Sequence, residues 1–227
     1  MIISIITPTT GKKSLYRLIN SIRNQKVSYE HILLWDDKRE DDFYRLNKEI
    51  DAKSPYDMED NNTYSLVLKG NCVLGQASGS ALRAVGLMAA KGDYVAFADD
   101  DVWYDDDHFR NILPLLDSKE WAYCRRKIYG QNKGYIGIDN FESVGNSLDR
   151  KVPYEMVDNN CMIFNRRFGV SGACLYRETR EYNDDRLFYS FLKQYAGEPG
   201  VTLKPTVNQI CPERLEPMFM KYCSAER

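Results

Sequence analysis

Histidine is scarce in this sequence, with only His31 and His108. Six cysteines, at positions 72, 124, 161, 174, 211 and 223, form no Cys-x-x-Cys pair. Both facts argue against a zinc site. No apolar run is long enough to span a bilayer, and no charged n-region followed by an apolar h-region opens the chain. The thiols are therefore expected to be free and the protein cytoplasmic. An excess of charge is missing too: 31 Lys and Arg against 33 Asp and Glu leave a net charge of -2. No global field would draw nucleic acid or an acidic membrane. Repeats and low-complexity tracts are absent. What is present is 227 residues, enough for one α/β domain with a sizeable core or a domain with an extension. Tyrosine is abundant, which suits sugar stacking as well as an ordinary Tyr-rich interface.

The most informative stretch begins at Tyr94. Residues 94–98 are an apolar run with a valine and two aromatics, the composition of a buried strand. The run stops in three carboxylates, Asp99, Asp100 and Asp101. In an extended chain Asp99 and Asp101 would point to one side and Asp100 to the other. Two carboxylates facing one way repel by roughly 1–4 kcal/mol, depending on effective dielectric. A divalent cation with a preference for oxygen ligands removes that penalty. Asp105, Asp106 and Asp107 read instead as a solvated acidic turn capping the next helix. An EF-hand is excluded: counted from Asp99, the glycine position holds Tyr104 and the last glutamate position holds Arg110.

Along the rest of the chain, residues 1–6 form a β-branched run, the pattern of a parallel strand buried on both faces. Ser14 can cap a helix carrying Leu15, Leu18, Ile19 and Ile22. Residues 31–35 read as a second strand ending in Asp36 and Asp37. Phe43, Leu46 and Ile50 suggest a helix, residues 51–63 a loop, and residues 64–68 a third strand. A small-residue turn at 75–79 leads to a helix from Ser80 with Leu82, Val85 and Met88. The acidic strand, a helix with Phe109, Ile112, Leu113 and Leu116, and a strand at 121–124 follow. This alternation predicts an α/β fold with a mostly parallel central sheet flanked by helices, Rossmann-like in its N-terminal half. Ligands in such sheets sit at the carboxyl ends of strands. The 7–10 turn, Asp36 with Asp37, and Asp99 to Asp101 all fall there. Beyond Lys127, residues 128–160 read as long loops or short hairpins and 161–165 as a strand. Gly169 and Gly172 mark a turn, and residues 186–196 read as a helix opened by Asn183, Asp184 and Asp185. The tail after Pro212 is polar or forms a short helix.

Several of these pieces resemble the GT-A glycosyltransferases of the large inverting family 2. They are Ile2-Ser-Ile-Ile-Thr-Pro-Thr9, Leu33-Leu-Trp-Asp-Asp37, Gly79-Ser-Ala-Leu-Arg-Ala-Val-Gly86, Ala90-Lys-Gly-Asp-Tyr-Val-Ala-Phe-Ala-Asp-Asp-Asp101 and Asn183-Asp-Asp-Arg-Leu187. The resemblance implies transfer of a sugar from a nucleotide-diphosphate sugar, a UDP-sugar first among them, to a saccharide or lipid-linked saccharide in polysaccharide biosynthesis. It assigns residues 1–127 to the donor half and 128–227 to the acceptor half of one compact domain. Association with the inner face of the membrane would come only through a lipid-linked acceptor.

The resemblance also implies roles for single residues. Asp99 and Asp101 would hold Mn²⁺ or Mg²⁺, which stabilises charge on the departing diphosphate, and Asp99 or Asp100 would contact the donor. Asp36 or Asp37 would bind the nucleoside, beside a base-side wall formed by Pro8 to Thr10, and Thr7, Pro8 and Thr9 would belong to the donor-binding set. The structural alternative for the two acids is a turn start. Arg83 would face the donor phosphate or the metal-site acids, or be an ordinary exposed helix arginine. Asp185, with Asp184 as its neighbour, would be the base that deprotonates the acceptor. Simple helix capping is the alternative. Trp103 suits sugar stacking or packing. The late metal-binding histidine common in the family is missing here. Two other functions compete. A sugar nucleotidyltransferase would need a better phosphate loop than Thr9-Thr-Gly-Lys-Lys13. A non-enzymatic metal- or carbohydrate-binding domain would use the acids structurally.

Overall fold

The structure, a computed structural model, describes residues 1–9, 11–36, 62–68, 79–132, 134–145, 155–176 and 184–224. The helix expected on Phe43, Leu46 and Ile50, the loop at 51–61, most of the 75–79 turn, Thr10, Asp37 and Asn183 lie outside them.

Seven consecutive buried residues make β1 (Ile3–Thr9), as the β-branched run requires of a central strand. Helix α1 (Leu15–Arg23) buries Leu15, Leu18, Ile19 and Ile22 in the main core. Ser14 does not cap this helix through its hydroxyl. It is itself helical, at φ -62° and ψ -24°. Strands β2 (Tyr29–Asp36) and β3 (Thr63–Leu68) follow. Helix α2 (Ser80–Ala89) is rotated from the expected face. Leu82, Arg83, Gly86 and Leu87 are buried, while Val85 is 37% and Met88 66% exposed. Gly86 sets that rotation: a Cβ there would come within 2.4 Å of Ile6 Cγ2, so the glycine is where the helix backbone meets the sheet.

Next come β4 (Tyr94–Phe97), β5 (Val102–Tyr104), α3 (His108–Ile112), β6 (Trp121–Gly130) and β7 (Gly134–Ile138). They are followed by β8 (Met162–Asn165), α4 (Arg166–Gly172), α5 (Asp184–Tyr195), β9 (Gly200–Cys211) and α6 (Glu216–Tyr222). Gly169 and Gly172 lie inside α4 rather than in a turn. A Cβ on Gly169 would come within 2.8 Å of Leu87 Cδ2 and of Phe164, so these glycines allow close packing.

One sheet joins the described strands in the order β3-β2-β1-β4-β8-β6-β9-β5, with β7 paired to β6. The first four are parallel. Beyond β4 the sheet is mixed: β8 is antiparallel to both β4 and β6, β6 is parallel to β9, and β5 is antiparallel to β9. The carboxyl ends of β1, β2 and β4 therefore share one edge, with Thr9 opposite Trp35 and Ile6 opposite Phe97. Because β8 runs the other way, its entrance, residues 158–161, meets the exit of β4. Behind this edge Phe97, Phe164, Tyr176 and Phe188 pack with ring centroids 4.8–6.3 Å apart. A second small core of Ile128, Phe141, Cys211 and Phe219 anchors α6.

Candidate active site

The three acids after β4 do not continue the strand. Pairing ends at Phe97, and Asp100 and Asp101 lie in a turn. The expected alternation of side chains fails for that reason. Asp100 and Asp101 share one cation, Lys12, whose Nζ is 2.8 Å from Asp100 and 3.6 Å from Asp101. Asp99 pairs with a different cation, Arg83, and remains the acid that acts most strongly on Asp101.

Asp100 is 4% exposed. It accepts from Thr9 Oγ1 at 2.9 Å, and Thr9 Oγ1 accepts from the backbone N–H of Gly11 at 2.9 Å. Asp100 thus ties the end of β1 to the acidic turn. Thr7 is buried, and its hydroxyl meets His31 Nε2 at 2.9 Å. Pro8 abuts Gly79, whose positive φ of 80° and 2.8 Å approach to Pro8 Cβ fit only glycine. Asp36 ends β2 on the same edge. Asp37 is outside the described residues.

Asp101 is the acid left in need. Its Oδ1 is buried and makes no hydrogen bond among the described residues. Burial, aided by Asp99, Asp100 and Asp158 and opposed by Lys12, pushes its pKa up to about 6. An orphaned carboxylate oxygen among other carboxylates fits a divalent cation, which would supply the missing positive partner. Among the described residues no group of three or more metal-type side chains forms. A cation there would rest on Asp101, with Asp99 beside it, and complete its shell with phosphate oxygens and water.

Arg83 is 7% exposed, not an ordinary surface arginine. It leaves the first turn of α2, and its guanidinium lies 5.8 Å from the centre of the Phe97 ring. Burial opposes its charge, but Asp99 and Asp185 outweigh that and hold it charged. One helical turn earlier, Ser80 donates to Asp184. The start of α2 therefore reaches both acidic clusters.

Asp185 belongs to the first turn of α5, which starts two residues earlier than expected, at Asp184. Its pKa is pushed up to about 8, by burial first, then by Asp158, with Asp99 and Glu142 adding and Arg83 opposing. Asp184 and Asp185 are thus drawn into side-chain contacts, with Ser80 and with Asn159.

Several residues of the site gave no signal in the sequence. Asn160 Oδ1 accepts the N–H of Asp99 at 2.7 Å, and its Nδ2 donates to Asp99 Oδ2 at 3.1 Å. Asn159 Nδ2 donates to Asp185 Oδ1 at 2.5 Å, and Tyr176 donates to Asn159 Oδ1 at 2.8 Å. Asp158 pairs with Arg126, a 1% exposed arginine that also binds Asp139 and Glu142, each at 2.8 Å. Only the Asp158-Asn-Asn160 run, polar yet flanked by Val157 and Cys161, hints at burial with a purpose. Two further expectations shift. Asp105 is not merely solvated, since it binds Lys127 at 2.7 Å and Asn208 at 2.8 Å. Trp103 is half-buried between the Arg17 guanidinium, 3.8 Å from its ring centroid, and Tyr129.

A family model described as Glycosyl transferase family 2 matches residues 4–179. No curated protein sequence matches the chain. Among solved structures, the crystal structure of S. aureus TarS 1-349 superposes with a TM-score of 0.65 at 20% identity, covering 100% of this chain and 67% of that one. Its complex with UDP-GlcNAc gives 0.62 at 18% identity, covering 94% and 59%. A longer TarS structure gives 0.61 at 17%, covering 100% and 41%. The chain thus spans between 41% and 67% of those TarS chains, and at such identities the likeness is one of fold.

Proposed function

The chain belongs to glycosyl transferase family 2 and has a GT-A fold. From that premise we propose that it is an inverting transferase that moves a sugar from a UDP-sugar to a saccharide or lipid-linked saccharide acceptor. The observation that carries the reading is the buried Oδ1 of Asp101, unpartnered among the described residues, at the carboxyl edge of the sheet. It stands among acids from two elements whose neighbour Asp185 holds its proton up to about pH 8. The choice of a UDP-sugar draws on the fold neighbours, for which complexes with UDP-GlcNAc and UDP are known.

In this reading Asp36 or Asp37 binds the nucleoside, next to Pro8 and Thr9. Asp101 and Asp99 would hold Mg²⁺ or Mn²⁺, which when bound would neutralise charge on the departing diphosphate. Arg83, kept charged in a buried place, steadies Asp99 and faces the same region. Asp185 accepts the proton of the acceptor hydroxyl while that oxygen attacks the anomeric carbon. The bond from that carbon to the phosphate oxygen breaks, and UDP departs with the electron pair. Asp184 supports the base from the preceding position. Asp100 acts by fixing Lys12 and the end of β1.

Residues 1–127 make up the donor half and 128–227 the acceptor half. No helix among the described residues is long and apolar enough to cross a membrane. In this reading a lipid-linked acceptor is met at the inner face of the membrane, in polysaccharide biosynthesis. Incubation with a panel of nucleotide sugars and Mn²⁺ tests the reading. Release of UDP from at least one UDP-sugar is expected. Consumption of a nucleoside triphosphate with release of pyrophosphate would point to a nucleotidyltransferase instead.

A further inference from the structure

The turn that enters β8 has no step of its own in this chemistry, yet it is among the most constrained parts of the molecule. Asn159 is 2% and Asn160 3% exposed. A buried amide is costly unless its donors and acceptor are matched. Here each amide is matched largely by an acid of the site or by the group that orients it. Asn160 grips Asp99 through both backbone and side chain, and also donates to Asp158 Oδ1 at 2.8 Å. Asn159 donates to Asp185, and its oxygen is held by Tyr176, so the amide can turn only its NH₂ toward the acid. Behind the turn, Asp158 is locked to Arg126, which is fixed in turn by Asp139, Glu142 and Gln209. Two adjacent side chains on one anchored turn thus reach acids from two elements, the exit of β4 and the first turn of α5.

Resting on the reading of Asp185 as base and Asp99 as donor-side acid, we infer that Asn159 and Asn160 are positioning residues that divide the reaction between them. Asn159, oriented by Tyr176, aims the base at the acceptor hydroxyl. Asn160 fixes Asp99, and with it Arg83, where Asp99 and Asp101 would share the cation that meets the donor diphosphate. Groups that orient the ligands of a site typically change affinity or activity by about 10–100-fold when removed.

The test compares Asn159→Ala, Tyr176→Phe and Asn160→Ala in the full chain. Three quantities are measured: the dissociation constant of UDP with Mn²⁺ by calorimetry, kcat and KM for hydrolysis of the fastest UDP-sugar, and Tm. Asn159→Ala is expected to lower kcat at least about tenfold and Tyr176→Phe by a smaller factor, both leaving UDP affinity within about twofold. Asn160→Ala is expected to weaken UDP with Mn²⁺ about tenfold or more, with the smaller effect on kcat. Should Asn159→Ala fail to fold, Tyr176→Phe carries the first half, since it deletes one hydroxyl and keeps the ring. Equal losses of kcat and UDP affinity in all three variants, tracking Tm, would reduce the turn to scaffold and overturn the inference. So would variants that match the wild type. A wild type that neither binds UDP nor hydrolyses any UDP-sugar would instead remove the proposed function, and this inference with it.

Discussion

A carboxylate that must take a proton works best when its own proton affinity lies near the working pH. Asp185, pushed up to about 8 by burial and by Asp158, is placed in that way by neighbours rather than by its own chemistry. Asp185→Asn is expected to lower transfer by about 10²–10⁴-fold while UDP binding is retained, which kinetics and calorimetry separate. The wild-type rate should climb with pH to about 8 and then level off. Stability should move the opposite way. The folded pKa lies above the ordinary value of 3.8, so the native state holds the proton more tightly than the unfolded chain. The contribution is full below about pH 4 and is lost as pH rises through about 8. Asp185→Asn should therefore melt higher than wild type at pH 9, and the gain should vanish near pH 4. At this scale the sequence was a partial guide. It marked Asp99 and Asp101 because acids interrupt an apolar run there, and it marked Arg83 and Asp185 through the family resemblance. It was silent on Asn159, Tyr176 and Arg126, whose partners lie 13 to 83 residues away along the chain. It also placed Thr7 at the site, and that hydroxyl, on a fully buried strand, meets His31.

Among the elements, α2 separates a pattern read from spacing from one set by contact. Leu82, Val85 and Met88 are spaced as one helical face, but Gly86 brings the backbone down onto Ile6 and Leu34 and turns Val85 and Met88 outward. Leu82→Ala should cost about 2–5 kcal/mol. Met88→Ala should stay within about 0.5 kcal/mol. Chemical denaturation distinguishes the two. Gly86→Ala should lower both stability and activity, because overpacking costs about 1–3 kcal/mol and Arg83 lies one turn earlier on the same helix. The strands β1 to β4 were legible because each centres on a short run rich in β-branched, aliphatic or aromatic residues. The β5 and β9 strands were not. The first is three residues inside an acidic region, and the second holds Lys204 and Pro205 and mixes exposed and buried positions without a regular alternation.

For the whole molecule, the parallel half and its ligand edge followed from strand-helix alternation, while the mixed half did not. Nothing local announces that β8 will run antiparallel between β4 and β6, and that insertion brings residues 158–161 to the acids. Arg126 is the joint of this second half, tying β6 to Asp139, Glu142, Asp158 and Gln209. Removing a partner from such a buried charge network typically costs about 3–5 kcal/mol, so Arg126→Met should lower Tm more than any change at the exposed face of α2. The account as a whole stands on a cation held at the carboxyl edge of the sheet by Asp101. Crystals soaked with UDP and Mn²⁺ test this directly through the anomalous signal of manganese. A manganese peak in contact with Asp101 and the UDP diphosphate, lost in Asp101→Asn, is the predicted result. UDP bound at that edge with no manganese at Asp101, or manganese bound elsewhere, would contradict it.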